Sequence, residues 1–292
     1  MKAVITTALA SGLGDMYLGI YQIHYLQEQL KEIGYEVKVI IDLGVSPYKV
    51  YGDDRNVFRR IFKLYLLDNL EIVIGGIANI NNNLDNELSQ VYSYEHIHKV
   101  FVDIKVDEFD NIKHIKHSWY YRDDLPKINF LSDEVTNYSE MISKQIGDGY
   151  VALHYRPFSS DDEKNIESDL ITYKPTIENI LEENQDNIVF VSTNKNLVKE
   201  YLKNSNYKNY YINSFVFLDV HDTIRTLRIS DDELFEILKE TLCDMYLLSK
   251  CKKIYRIANW FSGFLSFSCL YNQTGVPNHS RFIPEYPIVP LQ

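Results

Sequence analysis

Strand-like and helix-like segments alternate along most of this chain, and this alternation is the feature that most restricts its fold. The run "AVITTAL" near the amino terminus is typical of a buried strand. After "ASGLGD", the apolar residues Met16, Ile20 and Ile23 follow at steps of four and three, which predicts a helix that ends at Gly34. The strand-like runs "VKVII", "LEIVIGG" and "KVFVDI" continue the series, with a helix predicted around 55–67. Strands separated by helices predict βαβ units and a parallel sheet, the arrangement of an α/β protein.

The second half of the chain repeats this scheme. Residues 106–131 are polar and irregular, and a helix predicted near 133–146 ends at Gly147. We therefore place a boundary between an N-terminal domain, residues 1–148, and a C-terminal domain, residues 149–292. We expect two Rossmann-like domains that face a cleft. The C-terminal elements are predicted to be the strand "YVALHY", a helix opened by Pro175, the strand "NIVFVST", a helix near 195–203, the strand "NYYIN", a long helix from the capping box Ser230 to Glu233, and the strand "KIYRI".

Composition excludes several classes of protein. The chain has 292 residues and a formal net charge of −11, which argues against a sequence-independent duplex DNA binder, because such proteins neutralise phosphates with many Lys and Arg. Cys243, Cys251 and Cys269 have no paired short spacing, so they predict neither a zinc site nor a disulfide framework. A reducing compartment, the cytoplasm, is the simplest setting for them. No run reaches the roughly 18 to 20 apolar residues needed to span a bilayer.

Polar residues follow three of the predicted C-terminal strands. The carboxyl ends of parallel strands meet at one edge of a sheet, where ligands bind and helix N-termini offer unpaired amides. A guanidinium with hydroxyl and amide donors beside it is suited to a phosphate or diphosphate. Alternatively, Arg156 forms a surface ion pair with Asp161 or Asp162. The candidate ligand residues are His154 and Arg156 after the first strand, Thr193 and Asn194 after the second, and Asn259 and Ser262 after the last.

A glycine turn, "SGLGD", joins the first predicted strand to the first helix. Gly12 and Gly14 match part of a dinucleotide-binding fingerprint, but that fingerprint needs a third glycine where the chain has Tyr17. Asp42 lies just past the second strand, and its position supports an NAD-linked oxidoreductase as an alternative interpretation. In the other interpretation, the turn brings backbone close to a ligand and Asp15 acts as an acid or base at the start of the helix.

Four motifs resemble those of the fucosyltransferase superfamily, most closely the α-1,2-fucosyltransferases. "DMYLLSKCKKIYRIANWFSGFLSFSCLYN" resembles a helix with D-M-x-L-M-S-x-C followed by a strand and an A-N-S-x-F-S turn. "VALHYRP" is similar to the H-x-R strand end, "VFVSTNKNLVKEYL" to the F-x-F-S-D-D segment, and "SGLGDMYLGI" to the G-L-G-N-Q turn. The motifs keep the family order and span residues 11–272.

This resemblance implies a GT-B fold in which the C-terminal domain binds the nucleotide sugar and the N-terminal domain lies on the acceptor side. It implies an inverting transfer of fucose from GDP-fucose, or of another sugar from its nucleotide, to a glycan hydroxyl, with no cofactor. Arg156 would bind the β-phosphate, and His154 would contact the nucleotide or phosphate. Asp244 would accept hydrogen bonds from guanine, or else be a solvated helix carboxylate.

The resemblance also implies roles for the turns. Ser262 and the amides near Asn259 would add hydrogen bonds to the departing diphosphate. Gly12 and Gly14 would approach the substrates, with Asp15 as the candidate base. The chain lacks the D-x-D pair with which metal-dependent sugar transferases bind a divalent ion, so we expect metal independence.

Some residues depart from the family pattern. Pro157 follows Arg156, Asn194 replaces a usual acidic residue, and Trp260 replaces a small hydroxyl residue. These changes leave open a catalytically inactive module that binds a nucleotide sugar. The spacings of His96 with His98 and of His114 with His117 are ligand-like, but no cysteine lies near them to complete a zinc site.

Overall fold

The computed structural model describes ten stretches of the chain and divides it into two compact units. Unit 1 comprises Met1–Ser132 with Arg228–Asp232, and unit 2 comprises Asp133–Leu227 with Glu233–Gln292. The division comes before the helix near 133–146, whereas the sequence placed that helix at the end of the N-terminal domain. The described residues are 2–8, 13–32, 34–42, 54–73, 100–104, 113–117, 128–155, 166–193, 195–213 and 230–257.

Unit 1 is built on a three-stranded parallel sheet of order β1-β2-β3. Its first two strands are paired from Lys2 with Glu36 to Ala8 with Asp42. A separate antiparallel pair, β4 and β5, is also present, and β4 lies against β1. The described elements are β1 (Lys2–Ala8), α1 (Leu13–Glu32), β2 (Glu36–Asp42), α2 (Asp54–Ile61), a 3-10 turn (Leu64–Leu66), β3 (Leu70–Val73), β4 (Val100–Ile104) and β5 (Lys113–His117).

Helix α1 is held by its apolar face and by one buried tyrosine. Tyr17 is 1% exposed, and its ring contacts those of Phe62 and Phe130. The Tyr17 hydroxyl donates to the carbonyl of Ile128 at 2.9 Å and accepts from the amide of Phe130 at 3.1 Å. The helix ends before Gly34, whose φ of 91° is a conformation that glycine adopts without strain. The predicted end of this helix is therefore confirmed.

Unit 2 contains a four-stranded sheet of order β8-β7-β6-β9 in which every pair is parallel. The chain builds β6, β7 and β8 outward in one direction and then returns to place β9 on the other side of β6. The strand order therefore reverses between β6 and β9. The described elements are α3 (Asp133–Ile146), β6 (Val151–Tyr155), α4 (Ile166–Glu183), β7 (Val189–Thr193), α5 (Asn196–Lys203), β8 (Tyr210–Tyr211), α6 (Asp231–Lys250) and β9 (Ile254–Ile257).

Helices cover both faces of this sheet. On one face, alternate strand residues such as Leu153 and Val191 pack with Ile177 and Ile180 of α4 and with Val198 of α5 in one buried apolar cluster. We call this the apolar face. On the opposite face the sheet is joined to α6, because the hydroxyl of Tyr150, the residue before β6, donates to the carbonyl of Leu247 at 2.6 Å. The α/β class with parallel sheets is thus confirmed.

Three sequence expectations differ from the structure. The segment expected to be irregular contains β5, which pairs antiparallel with β4, so unit 1 is not purely parallel. The helix predicted around 55–67 ends at Ile61 and is followed by the 3-10 turn. Pro175 lies inside α4 instead of opening it. Leu170, Tyr173 and Ile177 all reach the apolar cluster, so packing continues across the proline and outweighs the backbone hydrogen bond that it removes.

None of the described helices is long and apolar enough to cross a membrane.

Candidate functional site

The carboxyl ends of β6, β7 and β9 lie side by side in register. Tyr155, the last residue of β6, pairs with Thr193 of β7 on one side and with Ile257 of β9 on the other. Neighbouring strands are about 4.8 Å apart, so the three strand ends form one edge. The strand order reverses between β6 and β9, and open α/β sheets bind ligands at such a point, beyond the carboxyl ends. Arg156 follows Tyr155 directly in the chain.

The face opposite the apolar face changes from apolar to polar side chains near this edge. Its inner row, formed by Ala152, Phe190 and Ile254, is apolar. Its outer row, one step closer to the carboxyl ends, is formed by Ser192, His154 and Arg256 on three adjacent strands, and we call it the polar row. His154 and Ser192 are each 3% exposed, and Arg256 is half-buried.

Hydrogen-bonding and charged side chains are therefore concentrated at the last row before the edge. Burial lowers the pKa of Arg256, because a low-dielectric surrounding disfavours its charge. Burial of polar and charged groups costs free energy, so their placement in one row beside the predicted ligand edge makes this row the candidate binding site.

Asp244 lies within α6 and is buried next to this row. It is 6% exposed, which rules out the solvated helix carboxylate that the sequence left as an alternative. Its carboxylate accepts hydrogen bonds from the side-chain amide of Asn213 and from the hydroxyl of Ser192. Burial raises the pKa of Asp244 to about 7, although the nearby charge of Lys199 and both hydrogen bonds oppose the shift.

The carboxyl end of β7 continues directly into α5. The Thr193 hydroxyl accepts a hydrogen bond from the backbone amide of Lys195 at 3.0 Å, and the Lys195 carbonyl accepts from the amide of Val198 at 3.2 Å. Thr193 is 6% exposed and the Lys195 side chain 1% exposed. Thr193 therefore binds the backbone just before α5, in addition to any ligand contact that we predict for it.

In unit 1, the glycine turn leads into α1. Gly14 and Asp15 belong to the first turn of that helix, and Asp42 ends β2 beside Ala8. Tyr17 fills the space where a dinucleotide-binding helix would need a glycine for close packing. Its buried ring and its two hydrogen bonds count against the NAD-binding interpretation.

Of the histidines with ligand-like spacing, His114 and His117 lie within the described stretches. They belong to β5, where His114 pairs with Asp103. Within the described stretches, no group of three or more His, Cys, Asp or Glu residues could hold a metal ion. The predicted residues and alternatives outside these stretches are Gly12, His96, His98, Arg156, Pro157, Asp161, Asp162, Asn194, Asn259, Trp260 and Ser262.

Four residues near the site were not singled out from the sequence. Ser192 and Arg256 could have been found by counting strand alternation backward from the carboxyl ends, since both share the parity of His154. Lys195 and Asn213 carry no comparable signal, because each lies just beyond a strand end in a polar segment.

No protein-family model matches this chain, and no curated protein sequence matches it. Solved structures do. The fucosyltransferase NodZ from Bradyrhizobium aligns over 95% of this chain and 93% of its own, with 14% identity and a TM-score of 0.56. A structure of NodZ, an α-1,6-fucosyltransferase, co-crystallised with GDP covers 92% of each chain at 12% identity and a TM-score of 0.52. Another, soaked with GDP-fucose, covers 93% of each at 12% identity and a TM-score of 0.53. This chain therefore shares the fold of NodZ over nearly its whole length.

Proposed function

We propose that the protein is a fucosyltransferase that transfers fucose from GDP-fucose to a hydroxyl of a glycan. The observation that carries the proposal is the polar row at the point where the strand order of the unit 2 sheet reverses. The shared fold with NodZ, an enzyme that has been crystallised with GDP and soaked with GDP-fucose, supports the choice of donor. The four family-like motifs support it independently, because they lie in the same order along the chain.

We further propose the GT-B arrangement, in which two Rossmann-like domains face a cleft. The N-terminal domain, residues 1–148, would bind the acceptor, and the C-terminal domain, residues 149–292, would bind the nucleotide sugar.

The proposed reaction breaks one bond and forms another at the anomeric carbon. As the bond from this carbon to the β-phosphate oxygen stretches, negative charge accumulates on the departing GDP. Arg156 would bind the β-phosphate, and Ser262 with the amides near Asn259 would donate to it, so these contacts strengthen as charge develops. His154 lies one row inside this edge and would contact the same end of the nucleotide.

The acceptor hydroxyl would attack from the opposite side, which inverts the anomeric centre. Its proton must leave as the new carbon–oxygen bond forms, and Asp15, in the first turn of α1, is our candidate base. Gly12 and Gly14 would allow backbone to approach the substrates closely. Thr193 and Asn194, at the end of β7, would complete the nucleotide-binding edge.

Asp244 would provide specificity for guanine. Its carboxylate is held by Asn213 and Ser192, so its orientation is fixed before the ligand arrives. Carboxylate oxygens have several lone pairs and can accept further N–H donors, such as those on the Watson–Crick edge of guanine. Replacement by asparagine would introduce an N–H group where the ligand presents one.

Thermal unfolding with a panel of nucleotides tests the proposed function. GDP should raise the melting temperature more than UDP, ADP, CDP or NAD, since ligand at 100 times its Kd stabilises by about 2.7 kcal/mol. The variant Asp244→Asn should lose most of this preference while its melting temperature without ligand stays within a few degrees. Equal protection by UDP would remove the guanine assignment, and protection by NAD alone would favour the oxidoreductase.

Turnover of the donor distinguishes an enzyme from an inactive binding module. We expect GDP release from GDP-fucose in the presence of an acceptor, and we expect it to continue in excess EDTA, because the cationic side chains would replace a metal ion. Activity that is lost in EDTA and restored by Mn²⁺ would contradict metal independence. Binding of GDP-fucose with no turnover under any acceptor would favour the inactive module, in line with the departures at Pro157, Asn194 and Trp260.

A further inference from the structure

We propose that Arg256 is a second cationic residue of the donor site, whose guanidinium binds the diphosphate of the nucleotide sugar beside His154. This inference rests on the proposed function and extends it to a residue that none of the four motifs includes as a ligand. It is carried by three features of the polar row, which are the position of Arg256 along β9, the face on which it lies, and its neighbours on β6 and β7.

The position of Arg256 is suited to a ligand at the carboxyl edge. Arg256 is one residue from Ile257, the end of β9, and pairs in register with His154 of β6. One strand residue corresponds to about 3.3 Å, a shorter distance than the length of an arginine side chain. The guanidinium can therefore reach the edge between β6 and β9, where the strand order reverses and a ligand is expected.

The face of the sheet supports the same assignment. Tyr255 and Ile257, on either side of Arg256, belong to the buried cluster of the apolar face. Arg256 consequently lies on the opposite face with His154 and Ser192. Its side chain is half-buried, whereas arginines of soluble proteins are mostly exposed.

Arginine suits this task better than other cations. Its planar guanidinium can donate two parallel hydrogen bonds to one phosphate, and it keeps its charge even when partly buried. Arg256 would approach the diphosphate from β9, beside His154 of the neighbouring strand. With Arg156 binding the β-phosphate as proposed above, two cations would share the charge of a diphosphate, which exceeds that of a single phosphate.

Calorimetric titration with GDP and with guanosine tests this role. We expect Arg256→Gln to weaken GDP binding about tenfold to a hundredfold, the range for a lost charge-assisted hydrogen bond. Guanosine carries no phosphate, so its affinity should stay within about twofold of the parent. Arg256→Lys should bind GDP with intermediate affinity, because it keeps the charge without the two-pronged geometry.

The matched control is Lys252→Gln, which removes the same charge from an exposed residue at the amino-terminal side of β9. It should bind both ligands as the parent does. Arg256→Gln binding GDP within twofold of the parent would overturn the assignment, and so would an equal loss for GDP and guanosine, which indicates a structural role. A parent protein that binds no GDP would instead overturn the proposed function and this assignment with it.

Discussion

The two faces of the unit 2 sheet are built from the same strands in the same register, yet they differ near the carboxyl edge. On the apolar face, Leu153, Tyr155 and Val191 remain in the apolar cluster as far as that edge. On the other face, the apolar row of Ala152 and its neighbours gives way to the polar row one step before the edge. One face stabilises the sheet along its length, whereas the other becomes polar only where a ligand is expected. Substitutions on the two faces should therefore have different consequences.

A core substitution on the apolar face should reduce stability without changing ligand binding. Leu153 is fully buried in that cluster. Leu153→Ala should lower the free energy of unfolding by about 2 to 5 kcal/mol, through lost burial and the cavity left behind. Denaturant unfolding gives the stability, and titration of the folded variant gives the GDP affinity, which we expect to be unchanged. A large loss of GDP affinity in the folded variant would show that the two faces are not separable.

Substitution of Arg156 should have the opposite pattern. Arg156→Ala should reduce the single-turnover transfer rate about a hundred- to a thousandfold, roughly 3 to 4 kcal/mol of transition-state stabilisation. Arg156→Lys should lose nearly as much, because it lacks the planar donor geometry. If Arg156 instead forms a surface ion pair with Asp161 or Asp162, each variant would transfer sugar at nearly the parent rate and change stability by at most about 1 kcal/mol.

Asp244 should make the polar face sensitive to pH. Its pKa in the folded protein is about 7, against a reference value of 3.8. Between these two pH values the folded state therefore holds a proton that the unfolded state has lost. The contribution of this group to stability is therefore present below about pH 4 and is lost as the pH rises through about 7. The groups that act on it are Lys199, Ser192 and Asn213, which oppose the shift, and Glu240, which adds to it.

Unfolding curves of the parent and of Asp244→Asn between pH 4 and 8 measure this effect. The parent should lose stability relative to the variant across that interval, by a difference of about 4 kcal/mol. Parallel pH profiles for the two proteins would show that Asp244 is ionised throughout and that its neighbours compensate fully for burial.

The smallest effect should come from one hydrogen bond between the two helices that cover the apolar face. The Tyr201 hydroxyl on α5 donates to a carboxylate oxygen of Glu178 on α4 at 2.7 Å in a half-buried setting. Tyr201→Phe should lower the free energy of unfolding by about 1 kcal/mol or less, the usual contribution of one such hydrogen bond. GDP affinity and transfer should not change. A larger loss, measured by denaturant unfolding, would mean that this pair supports the sheet more than its position indicates.

The sequence predicted most of the strands, because most of its apolar runs form strands with nearly the same bounds in the structure. It missed β5, "KHIKH", because that strand is too polar to stand out among its neighbours. It placed Pro175 at the start of a helix, where proline is favoured locally, whereas tertiary packing of Leu170 and Tyr173 extends α4 beyond it. Local preference was in these cases weaker than long-range pairing and burial.

The candidate site was predicted in part, for a related reason. The strand ends and their polar residues can be read along the chain, so His154 and Thr193 were found at the edge. The register between strands cannot be read in this way, and the alignment of Arg256 with His154 depends on it. The hydrogen bond from Asn213 to Asp244 likewise joins residues that are 31 positions apart in the sequence.

Hydrogen–deuterium exchange with and without GDP tests most directly whether the donor binds at the carboxyl edge of the unit 2 sheet. We predict that GDP slows exchange in peptides covering the ends of β6, β7 and β9 and the residues that follow them. Peptides from β1, the glycine turn and the start of α1 should change little with GDP alone. Protection confined to that turn and to the end of β2, with none at the ends of β6 and β9, would show that GDP binds at unit 1 instead.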